Sequence, residues 1–188
     1  MAPESERRTY RQLALVPREE SYASQEGSSQ VQHPVPFLDF VVDGVSLRTM
    51  AEQAGYGVDF VTPLCRRWVG SRVAAAVDQL LTGNGASGEP VEMLVCSVCG
   101  DRDCGAVLAD VTVEDEQVVW SNWRWTDYHP AGGEDIDLPT MRFERGAYEQ
   151  VVSAAAVLVA ALPYDETADR RRMLWPWQWG WRLPRSDG

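Results

Sequence analysis

Residues 91–123 read VEMLVCSVCGDRDCGAVLADVTVEDEQVVWSNW. They contain three apolar runs, Val91–Val98, Ala106–Val113 and Gln117–Trp123, separated by a cysteine-rich turn and by the acidic turn EDE. Short runs rich in valine and tryptophan, bounded by turn residues, predict β-strands. The three runs therefore predict an antiparallel meander with the cysteine turn between its first two strands.

A hairpin is predicted upstream of this meander. The segment PFLDFVVDGVSL, residues 36–47, is largely apolar and is interrupted by Asp43-Gly44. Asp-Gly between two apolar runs is the strongest short-range hairpin signal, because both residues tolerate the left-handed backbone of a tight turn. We expect the ordered core to begin here, at Pro36.

Three segments carry helical patterns. Ser46–Ala54 begins with a plausible N-cap serine and is followed by Gly55 as a stop. Ser71–Leu81 places valines and leucines at helical spacing on one face. Gly146–Leu162 is apolar on nearly all sides, which predicts burial between the sheet and another layer, and Pro163 ends it. The fold class is thus α+β: an antiparallel sheet, made of a hairpin plus a three-strand meander, packed against two or three helices.

Composition divides the chain into three parts. Residues 1–35 are polar and rich in Ser, Gln and Glu, which predicts a disordered or weakly helical arm. Residues 36–163 have the length and the apolar content of a single globular α+β domain. Residues 164–188 form a tail rich in arginine and tryptophan.

The charge of the chain is strongly negative. The formal net charge is −11, and all 17 basic side chains are arginine. Residues 37–163 carry 19 of the 28 acidic side chains and only 8 arginines, so the acidity belongs to the predicted domain. This sign excludes nonspecific nucleic-acid binding by phosphate attraction and favours either simple solubility or a basic protein partner.

No segment predicts export or membrane insertion. The N-terminal residues lack an apolar run of signal-peptide length, and the longest apolar stretch, Ala154–Leu162, is too short to span a bilayer. We therefore expect a cytoplasmic protein without a transmembrane segment. In a reducing compartment four cysteines are more often thiols or metal ligands than disulfides.

The cysteine turn CSVCGDRDCG predicts a zinc knuckle. Two thiolates in a C-x-x-C can reach one metal, and the glycine that follows permits the tight bend. A third cysteine lies close by, and tetrahedral zinc takes four ligands. The candidate metal ligands are Cys96, Cys99 and Cys104, with Cys65 or His129 as the possible fourth.

Two other interpretations of the turn stay open. The cysteines are plain reduced thiols at a hairpin tip, or they form an active centre with Asp101, Asp103 or His129 as acid–base groups. Thioredoxin-like chemistry is disfavoured, because its C-x-x-C begins a helix, whereas this one lies between two strands.

The C-terminal tail carries the remaining candidate binding residues. Four indoles at a spacing of two would share one side of an extended strand, next to a basic triplet. They could cap the core, pair with another chain or contact a partner. These residues are Trp175, Trp177, Trp179, Trp181, Arg170, Arg171 and Arg172.

Residues 91–125 and 141–152 resemble a family of uncharacterised actinobacterial proteins. Its members have a Cys-Gly-x3-Cys turn between two strands, here Cys99 to Cys104, and a Phe-x-Arg-x2-Tyr helix start, here Phe143, Arg145 and Tyr148. The resemblance covers roughly residues 37–152 and implies one intact domain. The family has no established activity, so the resemblance implies no mechanism.

Three functions fit these observations. The first is a small acidic cytosolic binding, accessory or immunity-type protein with a structural zinc knuckle. The second is a metal- or thiol-dependent enzyme centred on residues 96–104. The third is a biosynthetic accessory protein that presents a peptide or small molecule through the tail. We favour the first, because the sequence contains no G-x-S-x-G, P-loop or G-x-G-x-x-G motif and only two histidines. The sequence does not indicate an oligomeric state.

Overall fold

The computed structural model describes residues 9–26, 29–57, 59–84, 88–127 and 133–165. The strands are β1 (Leu13–Glu26), β2 (Ser29–Val42), β3 (Val45–Ser46), β4 (Phe60–Val61), β5 (Val91–Cys96), β6 (Ala106–Val113), β7 (Gln117–Thr126), β8 (Glu134–Asp135) and β9 (Met141–Glu144). The α-helices are α1 (Leu47–Gln53), α2 (Ser71–Thr82), α3 (Arg145–Ser153) and α4 (Ala155–Ala160). Two short 3-10 helices cover Arg66–Trp68 and Arg102–Cys104.

The strands form two antiparallel sheets. One sheet has the order β1-β2-β3. The other has the order β4-β5-β6-β7-β8, and β9 pairs with β7. The α+β class and the meander β5-β6-β7 are therefore confirmed. Within the described ranges no helix has the length and apolarity needed to cross a membrane.

The predicted Asp-Gly hairpin and its helix are confirmed. Asp43 and Gly44 both have left-handed backbone, with φ of 51° and 83°, as a tight two-residue turn requires. The Ser46 hydroxyl then accepts a hydrogen bond from the Thr49 amide at 3.4 Å and caps α1. Gly55, with φ of 93°, follows the end of this helix.

The prediction of a disordered or weakly helical arm over residues 1–35 is wrong for residues 13–26 and 29–35. β1 pairs with β2 along its whole length, from Leu13↔Val42 to Glu26↔Ser29. Pairing between the strands satisfies the backbone hydrogen-bonding groups of this polar segment. An ion pair of 2.7 Å between Arg48 and Glu20 connects β1 to α1. These partners are distant in sequence, so local composition does not show them. Residues 1–8 lie outside the described part of the chain.

The core is organised around Trp120 on β7. Its ring packs edge-on against Phe40, Phe143 and Tyr148, with centroid distances of 5.4, 4.8 and 5.9 Å. The Trp120 indole donates a hydrogen bond of 3.2 Å to the Tyr148 hydroxyl, which donates in turn to the Leu80 carbonyl at 3.1 Å. Burial raises the pKa of Tyr148, so the hydroxyl stays a donor. One side-chain relay thus joins the larger sheet, α2 and α3.

A buried carboxylate lies on β2. Asp39 is only 2 % exposed, and its Oδ2 is 3.8 Å from the Arg18 Nε. Burial raises the pKa of Asp39, although a hydrogen bond with Ser46 and the charges of Arg48 and Arg18 oppose that shift.

The predicted helix over Gly146–Leu162 differs from the structure in two ways. It is divided into α3 and α4 at Ala154, and it is not buried on all sides. Val157 and Leu158 are 74 % and 43 % exposed. Only one stripe, formed by residues at helical spacing, faces the core, so the helix is amphipathic despite its apolar composition. The buried stripe consists of Tyr148, Val152, Ala155 and Val159.

Candidate metal centre

Three predicted ligands converge in the turn between β5 and β6. The Sγ atoms of Cys96, Cys99 and Cys104 all lie within 4.8 Å of one another, and those of Cys99 and Cys104 are 3.2 Å apart. With metal–sulfur distances near 2.3 Å, tetrahedral zinc places its sulfur ligands about 3.8 Å apart. The three thiols could therefore hold a metal ion after small side-chain rotations.

Glycine at position 100 permits this convergence for two reasons. Gly100 has left-handed backbone, with φ of +68°, and its amide donates to the Cys96 carbonyl at 2.8 Å. A Cβ at this position would also lie 2.6 Å from the Trp68 ring, which packs against the turn. The glycine of the C-x-x-C-G pattern thus permits both the bend of the backbone and the close approach of the Trp68 indole.

Backbone amides point at the sulfur atoms, as in a metal knuckle. The Cys96 thiol is partly buried, which opposes its ionisation, but hydrogen bonds from the backbone N–H groups of Cys99 and Val98 lower its pKa overall. The Asp101 amide likewise donates to the Cys99 Sγ at 3.4 Å. The pKa of Cys99 is nevertheless raised to about 12, first by partial desolvation of its sulfur in an otherwise exposed residue and then by its hydrogen bonds to Cys104 and Cys96. The turn therefore favours one thiolate first, and a bound cation would ionise the others.

Two arginines hold the backbone of the turn in place. Arg67 donates from Nη1 to the carbonyls of Ser97 and Val98, both at 3.1 Å. Arg72, on α2, donates to the Gly100 carbonyl and pairs with Glu92 at 3.1 Å. Sequence reasoning missed both residues, since nothing in the local pattern separates them from ordinary surface arginines.

Trp68 completes this support. The Arg72 guanidinium lies 4.9 Å from the centroid of its ring. The indole packs against all three hydrophobic clusters found among the described residues. The turn between β5 and β6 therefore packs against a side chain that is itself anchored in the core.

Among the residues that the structure describes, no fourth ligand accompanies the three thiols. Cys65 is buried in a separate cluster with Val35, Phe37 and Val61 and does not belong to the cysteine group. Over the described ranges, no further Cys, His, Asp or Glu places a ligand atom within 4.8 Å of all three sulfurs. His129 lies outside those ranges, so its role as the fourth ligand stays a prediction.

One of the two aspartates of the turn has a local backbone contact. The Asp101 carboxylate accepts a hydrogen bond of 3.0 Å from the Asp103 amide and caps the 3-10 helix Arg102–Cys104. Asp103 is exposed. The Asp101 carboxylate therefore stabilises the start of the 3-10 helix.

A cavity of about 270 Å³ lies behind the turn rather than at the thiols. Its lining includes Arg72, Glu92 and Arg102, and no cysteine contributes to it. Arg102 pairs with Glu92 at 3.4 Å, so the charges that face this cavity are already paired.

The predicted tail contacts lie outside the described residues. This applies to the tryptophans and arginines named in the sequence analysis, Arg170, Arg171, Arg172, Trp175, Trp177, Trp179 and Trp181. Near the end of the last described range, the Tyr164 ring lies 5.6 Å from the guanidinium of Arg66. Arg66 immediately precedes Arg67, which binds the turn.

Comparison of the chain with models of protein families, with curated proteins and with solved structures gives no match. The candidate site therefore depends on the geometry of this chain alone.

Proposed function

We propose that the protein is a small, acidic, cytoplasmic binding protein of the accessory or immunity type, in which a zinc ion stabilises the turn between β5 and β6. The observation that carries the zinc assignment is the convergence of the Cys96, Cys99 and Cys104 Sγ atoms within 4.8 Å. Zinc is the proposed metal because a cluster of thiolate ligands favours it.

The surroundings of the thiols support a structural role for the metal. Backbone amides donate to the Cys96 and Cys99 sulfurs. Arg67 and Arg72 fix the carbonyls of the same turn. Ligands that are already oriented by the fold are typical of sites whose metal contributes to stability.

The binding role rests on charge. The net charge of −11 is concentrated in residues 37–163. Exposed acidic side chains lie at turns and edges of the larger sheet, at Glu114–Glu116 and at Glu134–Asp135. Surfaces of one sign attract partners of the opposite sign and speed their association. We therefore propose a basic protein as the partner.

One observation favours a second candidate, a metal-dependent enzyme. The described residues supply three ligands, and catalytic zinc sites keep the fourth position for water. If His129 occupies that position, the site is closed and structural. His129→Ala separates the candidates: a large loss of zinc affinity indicates a ligand, whereas unchanged affinity indicates an open site.

Metal analysis of the purified full chain tests the main proposal. We expect about one equivalent of zinc, and its removal by a chelator should lower the melting temperature. Cys99→Ser should lose the metal and the stability together. Cys65→Ser is the matched control, because Cys65 lies outside the thiol group, and it should keep its zinc. Purified protein without stoichiometric zinc, or a melting temperature that is the same with and without the chelator, would contradict the structural-zinc proposal.

A further inference from the structure

The three thiols of the metal centre are not equivalent. Cys99 and Cys104 are exposed and their Sγ atoms are 3.2 Å apart. Cys96 is half-buried at the end of β5, where it pairs with Phe60 on β4. A disulfide has an S–S distance near 2.05 Å, so Cys99 and Cys104 need to approach by only about 1 Å to form one.

We propose that Cys99 and Cys104 are a redox pair that a hydroperoxide oxidises to a disulfide, and that this disulfide expels the metal. Two of the three described donors would then be lost in one step, and Cys96 alone cannot retain the ion. The expulsion of the metal rests on the proposed function, whereas the disulfide itself does not.

The chemistry balances with the hydroperoxide as the oxidant. The thiolate sulfur of one cysteine attacks the terminal peroxide oxygen, the O–O bond breaks, and a sulfenic acid and an alcohol (water, for hydrogen peroxide) result. The second thiol attacks the sulfenic sulfur, the S–O bond breaks, the S–S bond forms and water leaves. The two thiols supply both electrons and both protons, and a dithiol reductant reverses the reaction.

The supporting contacts favour reversible oxidation of this pair without unfolding. Arg67 and Arg72 bind backbone carbonyls of the turn, not its sulfur atoms. Those hydrogen bonds can persist while the side chains of Cys99 and Cys104 rotate towards each other. Both cysteines are also open to a small oxidant.

Peptide mapping can identify the pair, because Arg102 lies between its two members. Trypsin separates peptide 73–102, which holds Cys96 and Cys99, from peptide 103–124, which holds Cys104. Zinc-loaded full-length protein is treated with increasing hydrogen peroxide, released zinc is measured with a chromogenic chelator, and non-reduced digests are analysed by mass spectrometry. We expect release of the zinc in step with a cross-linked pair of these peptides, and rebinding of zinc after reduction.

Variants decide which cysteine of the first peptide is used. Cys96→Ser should still give the cross-linked peptides, even if it binds no zinc, whereas Cys104→Ser should not. Cys65→Ser should behave as the wild type. A disulfide confined to peptide 73–102, or loss of the cross-link in Cys96→Ser, would overturn the proposed pair.

The two proposals can fail separately. Protein that binds no zinc but forms the cross-link supports the redox pair and refutes the zinc site. Protein that holds zinc and forms no cross-link under peroxide supports the zinc site and refutes the redox pair.

Discussion

Replacing Gly100 with alanine tests the geometry of the cysteine turn between β5 and β6. The left-handed backbone at φ of +68° costs an L-residue about 1–2 kcal/mol. The new Cβ would also lie 2.6 and 2.9 Å from two atoms of the Trp68 ring. The ring cannot move freely, because it packs against three hydrophobic clusters and the Arg72 guanidinium. Overpacking of this kind costs about 1–3 kcal/mol more.

We therefore expect Gly100→Ala to lower the free energy of unfolding by about 2–5 kcal/mol, which corresponds to a fall in melting temperature of about 4–20 °C for a chain of this size. Gly44→Ala is the matched control: Gly44 also has a positive φ, +83°, but a Cβ there meets nothing within 4 Å. It should lose only about 1–2 kcal/mol. Urea denaturation of both variants measures the difference.

A double variant isolates the clash with the indole. In a Trp68→Ala background, Gly100→Ala should cost no more than Gly44→Ala does in the wild type, because the contacting ring is gone. Equal costs for Gly100→Ala and Gly44→Ala in the wild-type background would refute the close contact between the turn and Trp68.

Three further predictions concern the core, a buried acid and the tail. Tyr148→Phe leaves the Trp120 indole and the Leu80 carbonyl without their shared partner and should cost about 1–3 kcal/mol in urea denaturation; a cost below the error of the measurement would contradict the relay. The pKa of Asp39 is raised above 3.8 by burial, so its favourable contribution exists at low pH and disappears as the pH rises through the folded-state pKa. The melting temperature of the wild type relative to Asp39→Asn should accordingly fall as the pH rises from below 3.8 through the raised pKa of Asp39, and a flat or rising difference would contradict the sign. Deletion of residues 173–188 should abolish capture of a tail-dependent partner with little change in melting temperature; a large drop would instead make the tail part of the fold.

Local patterns were sufficient for most of the meander and for the thiol turn. The alternation in β6, the Asp43-Gly44 turn and the C-x-x-C-G bend each depend on residues adjacent in sequence. Such features can be predicted, because the interactions that create them are themselves local.

The missed features depend on contacts between distant residues. β1 is polar, and its pairing with β2 stabilises it. The one local signal for this pairing is Gly27-Ser28, which lies between the two strands in the sequence and consists of residue types common in hairpin turns. Arg67 reaches carbonyls about 30 positions away, at Ser97 and Val98, and no local pattern encodes that reach.

Arg67 also connects the β1–β2 hairpin to the cysteine turn between β5 and β6, because it contacts both. Its guanidinium lies 5.2 Å from the ring of Tyr22 on β1, while the same group binds the carbonyls of Ser97 and Val98. A partner that binds the β1–β2 hairpin and displaces Tyr22 would therefore remove one contact of the Arg67 guanidinium, which also binds the turn between β5 and β6. Because coupling between two binding sites is reciprocal, a metal bound at the three thiols would change the affinity for such a partner by the same factor by which the partner would change the affinity for the metal.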